Sequence, residues 1–123
     1  MDLHGIEEVL PANLLDRNLS SWRAGDAWLG GGTWLFSTEQ LALRRLHDLM
    51  AIPIGSPIAE EDSGLTILST CTIAQLQQHT IAHNDWRAAS LIGKCCTSFL
   101  AGFKIWNAAT VGGNICMSLP AGP

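Results

Sequence analysis

The stretch Asn-Ala-Ala-Thr-Val-Gly-Gly-Asn-Ile at residues 107–115 is the most specific pattern in the chain. Its glycine pair lets backbone N–H groups approach an anion, because no Cβ atom stands in the way. The hydroxyl of Thr110 and the amide of Asn114 can add side-chain hydrogen bonds. A central glycine pair also favours an ordered loop over regular structure. The stretch therefore predicts a loop that approaches a phosphate closely.

A second glycine cluster has the same character and lies near the start of the chain. Gly30-Gly31-Gly32-Thr33 follows the apolar run 27–29, which is predicted to be a short buried strand. Taken singly, either cluster is more often a tight turn without a ligand, but two of them in a small chain favour a phosphate ligand. Lys104 is the only cationic side chain after Lys94, so backbone dipoles would hold most of a pyrophosphate.

Two common nucleotide-binding fingerprints do not fit these glycines. The pattern Gly-x-Gly-x-x-Gly fails because Leu35 stands three residues after Gly32. The Walker pattern fails because Ala88 occupies the position of its first glycine, ahead of Gly93 and Lys94. A nicotinamide-binding domain of the Rossmann type is therefore disfavoured.

Composition argues against several classes of protein. The 123 residues, of 13.2 kDa, fit one compact domain or a piece of a larger one, and 47% apolar against 15% charged residues excludes disorder as the main description. The formal net charge of -4 argues against a nucleic-acid partner. We expect no membrane span and, without the basic and apolar regions of a secretory signal, a cytoplasmic location.

Cysteine and histidine have simpler explanations than metal or redox chemistry. The four cysteines match neither zinc nor disulfide spacing, and we expect buried, reduced thiols. The adjacent Cys95 and Cys96 would point to different faces of a helix. His79 and His83 have no third ligand spaced nearby, so we expect a surface pair and no metal.

The first part of the chain is predicted to open with a helix. Apolar spacing indicates this helix over residues 3–10, where Pro11 ends it. Helix formers occupy 38–46, and a second strand is expected within 46–52. Pro53 and Pro57 bracket a predicted linker, and the segment 55–64, whose acidic run is expected to be solvated, is the best candidate for a boundary. The predicted units are 1–60 and 61–123.

The second part combines strands with helices. A strand is predicted over 65–70, followed by a short helix that Thr72 caps. The clearest helical spacing runs from Asp85, its expected cap, to about residue 101, with Gly102 as a C-terminal cap. A further strand is expected to start at Ile115. The order of elements indicates a mixed α and β fold.

The two glycine motifs resemble those of a known family, the FAD-binding subunit or domain of molybdenum hydroxylases. That family includes xanthine dehydrogenase and the medium subunit of carbon monoxide dehydrogenase. Its members have an Ala-Gly-Gly-Thr loop after a strand, which residues 30–33 match with Gly30 in place of alanine. Its second loop, Asn-x-Ala-Thr-[Ile or Val]-Gly-Gly-Asn-Ile, is matched at every position by residues 107–115. The resemblance extends in order over essentially the whole chain.

The resemblance implies an α+β, FAD-binding domain of the p-cresol methylhydroxylase type, with the first subdomain and the start of the second. Each subdomain would contribute one glycine loop to the pyrophosphate of an extended FAD. Trp34, Leu35 and Ile115 would line the cofactor, and Lys104 stands in a region where members often have an arginine. The implied cofactor-binding residues are Gly30, Gly31, Gly32, Thr33, Trp34, Leu35, Lys104, Thr110, Val111, Gly112, Gly113, Asn114 and Ile115.

The function implied by the resemblance is electron transfer. FAD would receive electrons from an iron–sulfur subunit, after a molybdopterin subunit has hydroxylated the substrate, and pass them to an acceptor such as NAD. No catalytic acid, base or nucleophile is then required of this chain. Because the family domain is longer than this chain, the alternative is a catalytically silent fragment that folds or associates without a cofactor.

Overall fold

The computed structural model describes residues 4–83 and 85–118 of the chain. The chain divides into two compact units, Met1–Pro53 and Ile54–Pro123. Each unit has its own set of regular elements. The assignment of residues 1–60 and 61–123 to two FAD-binding subdomains stays a prediction.

The first unit contains a small parallel sheet. Its strands are β1 (Glu8–Pro11), β2 (Asp26–Leu29) and β3 (Arg45–Asp48), with β3 between the other two. Both pairings are parallel, so Arg45 lies opposite Glu8 on one side and Asp26 on the other. Leu46 of the central strand is 2% exposed. In a parallel sheet the carboxyl ends of all strands lie at the same end of the sheet. The segment after β2 therefore lies at that end.

β1 lies where the sequence predicts an opening helix, and that prediction is wrong. Glu7 N–H donates to Arg44 O at 2.7 Å, and Ala12 N–H donates to Asp48 O at 2.9 Å, one bond at each end of the strand. A helix of this length has little stability of its own, whereas pairing with β3 satisfies the backbone. Residues 1–3, where the predicted helix begins, lie outside the described residues.

The two later strands of this unit confirm the predicted strands in part. β2 contains the predicted run 27–29, but Trp28 is 41% exposed, so the strand is not buried throughout. β3 covers only the start of the predicted 46–52 strand. The helix formers at 38–46 form no helix in the described structure. Arg44 N–H and Arg45 N–H both donate to Gly25 O, and these bonds align the end of this segment with β2 as part of the sheet.

The second unit combines a β-hairpin with short helices. The hairpin strands are β4 (Ile58–Glu61) and β5 (Gly64–Ile67), and the helices are α1 (Ile73–Gln78), α2 (Ala89–Thr97), α3 (Phe103–Ala108) and α4 (Val111–Met117). Its core consists of Ile73, Cys96 and Ala109. Half-buried side chains from all four helices or their flanks pack against this core, namely Leu76, Ile92, Phe99, Trp106 and Val111.

The hairpin corrects the prediction of a linker at 55–64. Ile58 pairs with Ile67 and is 6% exposed, which anchors β4 on one apolar side chain. Asp62 and Ser63 form the two-residue turn between the paired Glu61 and Gly64. The strand is hard to see in the sequence because its only buried large side chain is Ile58, so no alternation of polarity is visible.

The predicted cap of α1 is confirmed. Thr72 is the N-cap residue, and its side chain accepts a hydrogen bond from Gln75 N–H. The Gln75 side chain accepts in return from Thr72 N–H, which completes a capping box.

Both caps predicted for α2 are wrong. The helix begins after Ala88, not at Asp85, and no side chain caps it. It ends at Thr97 with Ser98 as C-cap, and Gly102 instead precedes α3 as its N-cap residue. The apolar spacing continues past the helix end because residue 99 still packs on the core from the following turn.

Residues 103–117 form α3 and α4, where the sequence predicts a loop and a strand from Ile115. Gly112 and Gly113 lie in the first turn of α4. Their low helix propensity is offset because both N–H groups have acceptors, Ser69 O and Thr110 Oγ1. Ile115 is part of the same helix.

Across the described ranges, we find no helix with the length and apolar character needed to cross a membrane.

Candidate cofactor-binding site

The first glycine loop, residues 30–33, follows the carboxyl end of β2 and leads into one helical turn. Phe36 N–H donates to Gly32 O at 2.9 Å, and Ser37 N–H donates to Trp34 O at 3.0 Å. Gly32 has a φ of 73°, in the left-handed region, and a Cβ atom there would lie 2.5 Å from Phe36 Cδ2. Both observations require glycine at this position.

The backbone N–H groups of this segment have no acceptor among the described residues. Between residues 30 and 35, no N–H donates a hydrogen bond to any residue that the structure describes. Thr33, Trp34 and Leu35 precede the first bond of the helical turn, where N–H groups are normally unpaired. Such donors at the carboxyl end of a parallel strand can bind an anion.

The second motif, 107–115, includes the N-terminus of α4, and the helix uses part of its donors. Thr110 is the N-cap residue, and its Oγ1 accepts from Gly113 N–H at 3.1 Å. Asn114 donates to Thr110 O from both its backbone N–H and its side-chain Nδ2, each at 3.0 Å. The Thr110 hydroxyl hydrogen and the second Nδ2 hydrogen of Asn114 remain as donors.

Two backbone N–H groups of this motif are bonded to the segment before α1. Val111 N–H donates to Cys71 O, and Gly112 N–H donates to Ser69 O, each at 2.8 Å. A Cβ atom on Gly112 would lie 2.6 Å from Ser69 Cβ. The backbone N–H groups of this glycine pair are therefore bonded within the protein, and their contact with a phosphate stays a prediction. The glycine at 112 is explained by its close packing on Ser69.

The predicted side chains that would line a cofactor differ in exposure. Trp34 is 39% exposed and Ile115 is 70% exposed, whereas Leu35 is half-buried. Lys104 lies on α3 and is exposed. Residues 30–35 belong to the first unit, and Lys104 with residues 110–115 belongs to the second.

A buried charged cluster in the first unit was not predicted from the sequence. Asp26 accepts from Arg45 Nε at 2.8 Å and lies 2.9 Å from His47 Nε2, and its side chain is 1% exposed. The hydrogen bonds from Arg45, above all, hold the pKa of Asp26 well below its usual range. Trp22 stacks on the His47 ring, with centroids 5.0 Å apart. The available signal was Asp26 at the start of one strand, with Arg45 and His47 at alternate positions of another, in a chain with few charges.

Glu60 is likewise part of a specific contact and not a solvated linker residue. Its carboxylate lies 2.8 Å from His79 Nε2 and accepts from Ala82 N–H at 3.0 Å. Burial opposes ionisation, but the hydrogen bonds from Ala82 and His79 and the nearby His83 outweigh it, so the pKa of Glu60 is lowered. Glu60 thereby holds the segment after α1 to β4. The structure describes no group of three metal-ligating side chains in residues 4–83 and 85–118.

The cysteines divide between core and surface. Cys95 is exposed and Cys96 is buried, which confirms that they occupy different faces of α2. Cys71 is buried as predicted, but Cys116 is exposed, so the expectation of four buried thiols is wrong for two of them. Burial raises the pKa of the Cys71 and Cys96 thiols.

Comparison with known proteins points to one family. Residues 17–122 match the model of a family described as the FAD binding domain in molybdopterin dehydrogenase. No curated protein matches the chain.

Several solved structures have a similar fold. One is carbon monoxide dehydrogenase from Hydrogenophaga pseudoflava that lacks the Mo-pyranopterin moiety of the molybdenum cofactor, at 22% identity and a TM-score of 0.73 over 94% of this chain. Another is reconstituted CO dehydrogenase from Oligotropha carboxidovorans, at 25% identity and a TM-score of 0.71 over 93%. Quinoline 2-oxidoreductase from Pseudomonas putida 86 has 17% sequence identity and a TM-score of 0.61 over 94% of this chain. The chain spans 40% of the length of each of these solved chains.

Proposed function

Because the chain belongs to the family of FAD-binding domains in molybdopterin dehydrogenases, we propose that it is the electron-transfer module of a molybdopterin-dependent oxidoreductase. In this proposal a molybdopterin subunit supplies electrons to an iron–sulfur subunit. The chain takes these electrons from the iron–sulfur subunit and delivers them to an acceptor such as NAD in the cytoplasm. When bound, FAD supplies the redox chemistry. The chain itself binds and orients the cofactor and needs no acid, base or nucleophile.

The observation that supports this proposal most directly is that the N–H groups of residues 30–35 have no acceptor in the part of the chain that the structure describes. A pyrophosphate needs several hydrogen-bond donors, and this segment offers them without a lysine or arginine. Gly32 keeps the turn open because its left-handed φ brings the chain from β2 into the turn without a Cβ against Phe36. The residues of the first loop therefore fit the phosphate part of FAD.

The second motif would contribute side chains rather than backbone donors. The hydroxyl of Thr110 and the amide of Asn114 each retain a donor beyond those used inside α4. Lys104 would add the positive charge of an exposed ammonium. Trp34 and Ile115 would cover apolar parts of the cofactor, because both side chains are accessible.

The test is titration of the purified chain with FAD, followed by flavin fluorescence and melting temperature, with NAD as a control ligand. We expect quenching of the flavin and a melting temperature that rises with FAD concentration, because a ligand that binds the folded state stabilises it. We expect NAD without FAD to leave the melting temperature unchanged, because NAD is proposed to act only as an acceptor for the bound flavin. Unchanged flavin fluorescence and an unchanged melting temperature on addition of FAD would contradict the proposal. That result would favour a fragment that folds without a cofactor.

A matched pair of variants localises the binding. Gly32→Ala strains the left-handed position and should weaken FAD binding by about tenfold or more, equal to roughly 1.4 kcal/mol. Gly55→Ala is the control, since a Cβ atom there meets nothing within 4 Å. Circular dichroism checks that both variants fold. A folded Gly32→Ala protein with the affinity of the Gly55→Ala protein would exclude the first loop as the phosphate site.

A further inference from the structure

We infer that Thr72 is a positioning residue for the second motif, because it holds the backbone segment to which Thr110 and α4 are bonded. The inference rests on the proposed function, since it concerns Thr110 and Asn114 as groups that contact FAD. Residues 69–73 and 109–112 form the contact concerned, which we call the threonine bridge.

The threonine bridge joins the N-cap residues of two helices. Thr72 and Thr110 face each other as an isolated antiparallel pair. The residue after each threonine donates its N–H to the carbonyl of the residue before the other, at 2.9 Å and 2.8 Å. Thr72 is 7% exposed and Thr110 is 3% exposed. Because the bonds are buried, breaking them would leave polar groups without a partner, which makes the pairing specific.

Thr72 is held by α1 and not by the bridge itself. Its N–H donates to Gln75 Oε1 at 2.9 Å, and its Oγ1 accepts from Gln75 N–H at 3.1 Å. These two bonds keep Thr72 extended, with φ -76° and ψ 157°. With that conformation set, the carbonyl of Cys71 and the N–H of Ile73 both point to the segment that contains Thr110. Loss of the hydrogen bonds between Thr72 and Gln75 would therefore weaken the two backbone hydrogen bonds on either side of Thr72 in the threonine bridge.

Gly112 fastens α4 to the same segment. Its N–H donates to Ser69 O at 2.8 Å, and a Cβ atom on it would lie 2.6 Å from Ser69 Cβ and 2.8 Å from Ser69 O. The first turn of α4 can occupy this place only with glycine at 112. The position of the Thr110 hydroxyl and of the Asn114 amide thus depends on residues 69–73, none of which is proposed to contact the cofactor.

Two variants of Thr72 separate positioning from simple destabilisation. Thr72→Val keeps the shape but removes the acceptor oxygen, whereas Thr72→Ser keeps that oxygen. We expect Thr72→Val to weaken FAD binding about fivefold, the size of a lost N-cap, and to speed amide hydrogen exchange at Val111 and Gly112. Thr72→Ser should restore both. Ile58→Val serves as the stability control, because Ile58 is buried in β4 and makes none of the hydrogen bonds of the threonine bridge.

The outcomes are distinct. The inference is overturned if Thr72→Val binds FAD as tightly as Ile58→Val at a temperature where both are folded, or if exchange at Val111 and Gly112 is unchanged. A wild-type chain that does not bind FAD contradicts the proposed function instead, and the exchange rates then still decide whether Thr72 holds α4 in place.

Discussion

At the scale of single residues, similar sequence patterns have different physical roles. Gly32 is required by its left-handed φ, whereas Gly112 is required by its contact with Ser69. The N–H groups around Gly32 have no acceptor among the described residues, while the N–H of Gly112 is bonded. A glycine pair in a sequence therefore indicates close backbone packing, but not whether the neighbour is a ligand or the protein itself.

The pairing of β2 with β3 depends on a single buried carboxylate, that of Asp26. We expect Asp26→Asn to lower the melting temperature by at least about 4 °C, because Arg45 and His47 would lose a buried anionic partner. Asp62→Asn is the matched control, since Asp62 is exposed in the hairpin turn. Thermal unfolding followed by circular dichroism makes the comparison. Equal melting temperatures for the two variants would show that the cluster is not stabilising.

At the scale of elements, short helices depend on tertiary contacts for their stability. α4 has seven residues and two adjacent glycines, yet it forms because Thr110 caps it and Ser69 and Cys71 accept its first N–H groups. β4 forms in an acidic segment because Ile58 is buried opposite Ile67. In both cases the deciding partner lies many residues away, where local periodicity does not reach.

Two glycine-to-alanine variants test this reading of the helices. Gly93→Ala in α2 adds a Cβ atom that meets nothing within 4 Å, so we expect a gain of about 0.5–1 kcal/mol in the free energy of unfolding. Gly112→Ala in α4 adds one that overlaps Ser69, so we expect a loss. Urea denaturation measures both. A Gly112→Ala protein as stable as the wild type would contradict the close packing on Ser69.

At the scale of the whole molecule, ionisation limits stability at both ends of the pH range. Backbone hydrogen bonds from Ser20 and Ser21 lower the pKa of Asp16 to about 2, and the pKa values of Asp26 and Glu60 are also lowered. The unfolded chain takes up protons on these carboxylates near pH 4, before the folded chain does. Stability should therefore be present above about pH 5 and fall as the pH drops towards 2.

The buried thiols set the alkaline limit. Because burial raises the pKa values of Cys71 and Cys96, the unfolded chain loses these protons first, and stability should fall above about pH 8.5. We expect the urea midpoint to be highest between about pH 5 and 8 and lower at pH 3 and pH 9.5. A midpoint that does not change between pH 7 and pH 3 would contradict the linkage to these carboxylates.

The comparisons confirm the family and cofactor that the two glycine motifs indicated. The chain matches the FAD-binding family over residues 17–122, and solved relatives share its fold. The α+β class is confirmed as well. The electron-transfer role, the partner subunits and the contacts of individual residues with FAD stay predictions.

Features that depend on neighbouring residues could be predicted from the sequence alone. Thr72 and Gln75 are three apart, so the capping box of α1 follows from local geometry, and the glycine motifs at 30–33 and 107–115 suffice to indicate the family. The strand β1, the hairpin at 58–67 and the helices α3 and α4 depend on tertiary contacts. These elements are stable because distant groups satisfy their backbone hydrogen bonds, and no short-range pattern specifies which distant groups those are.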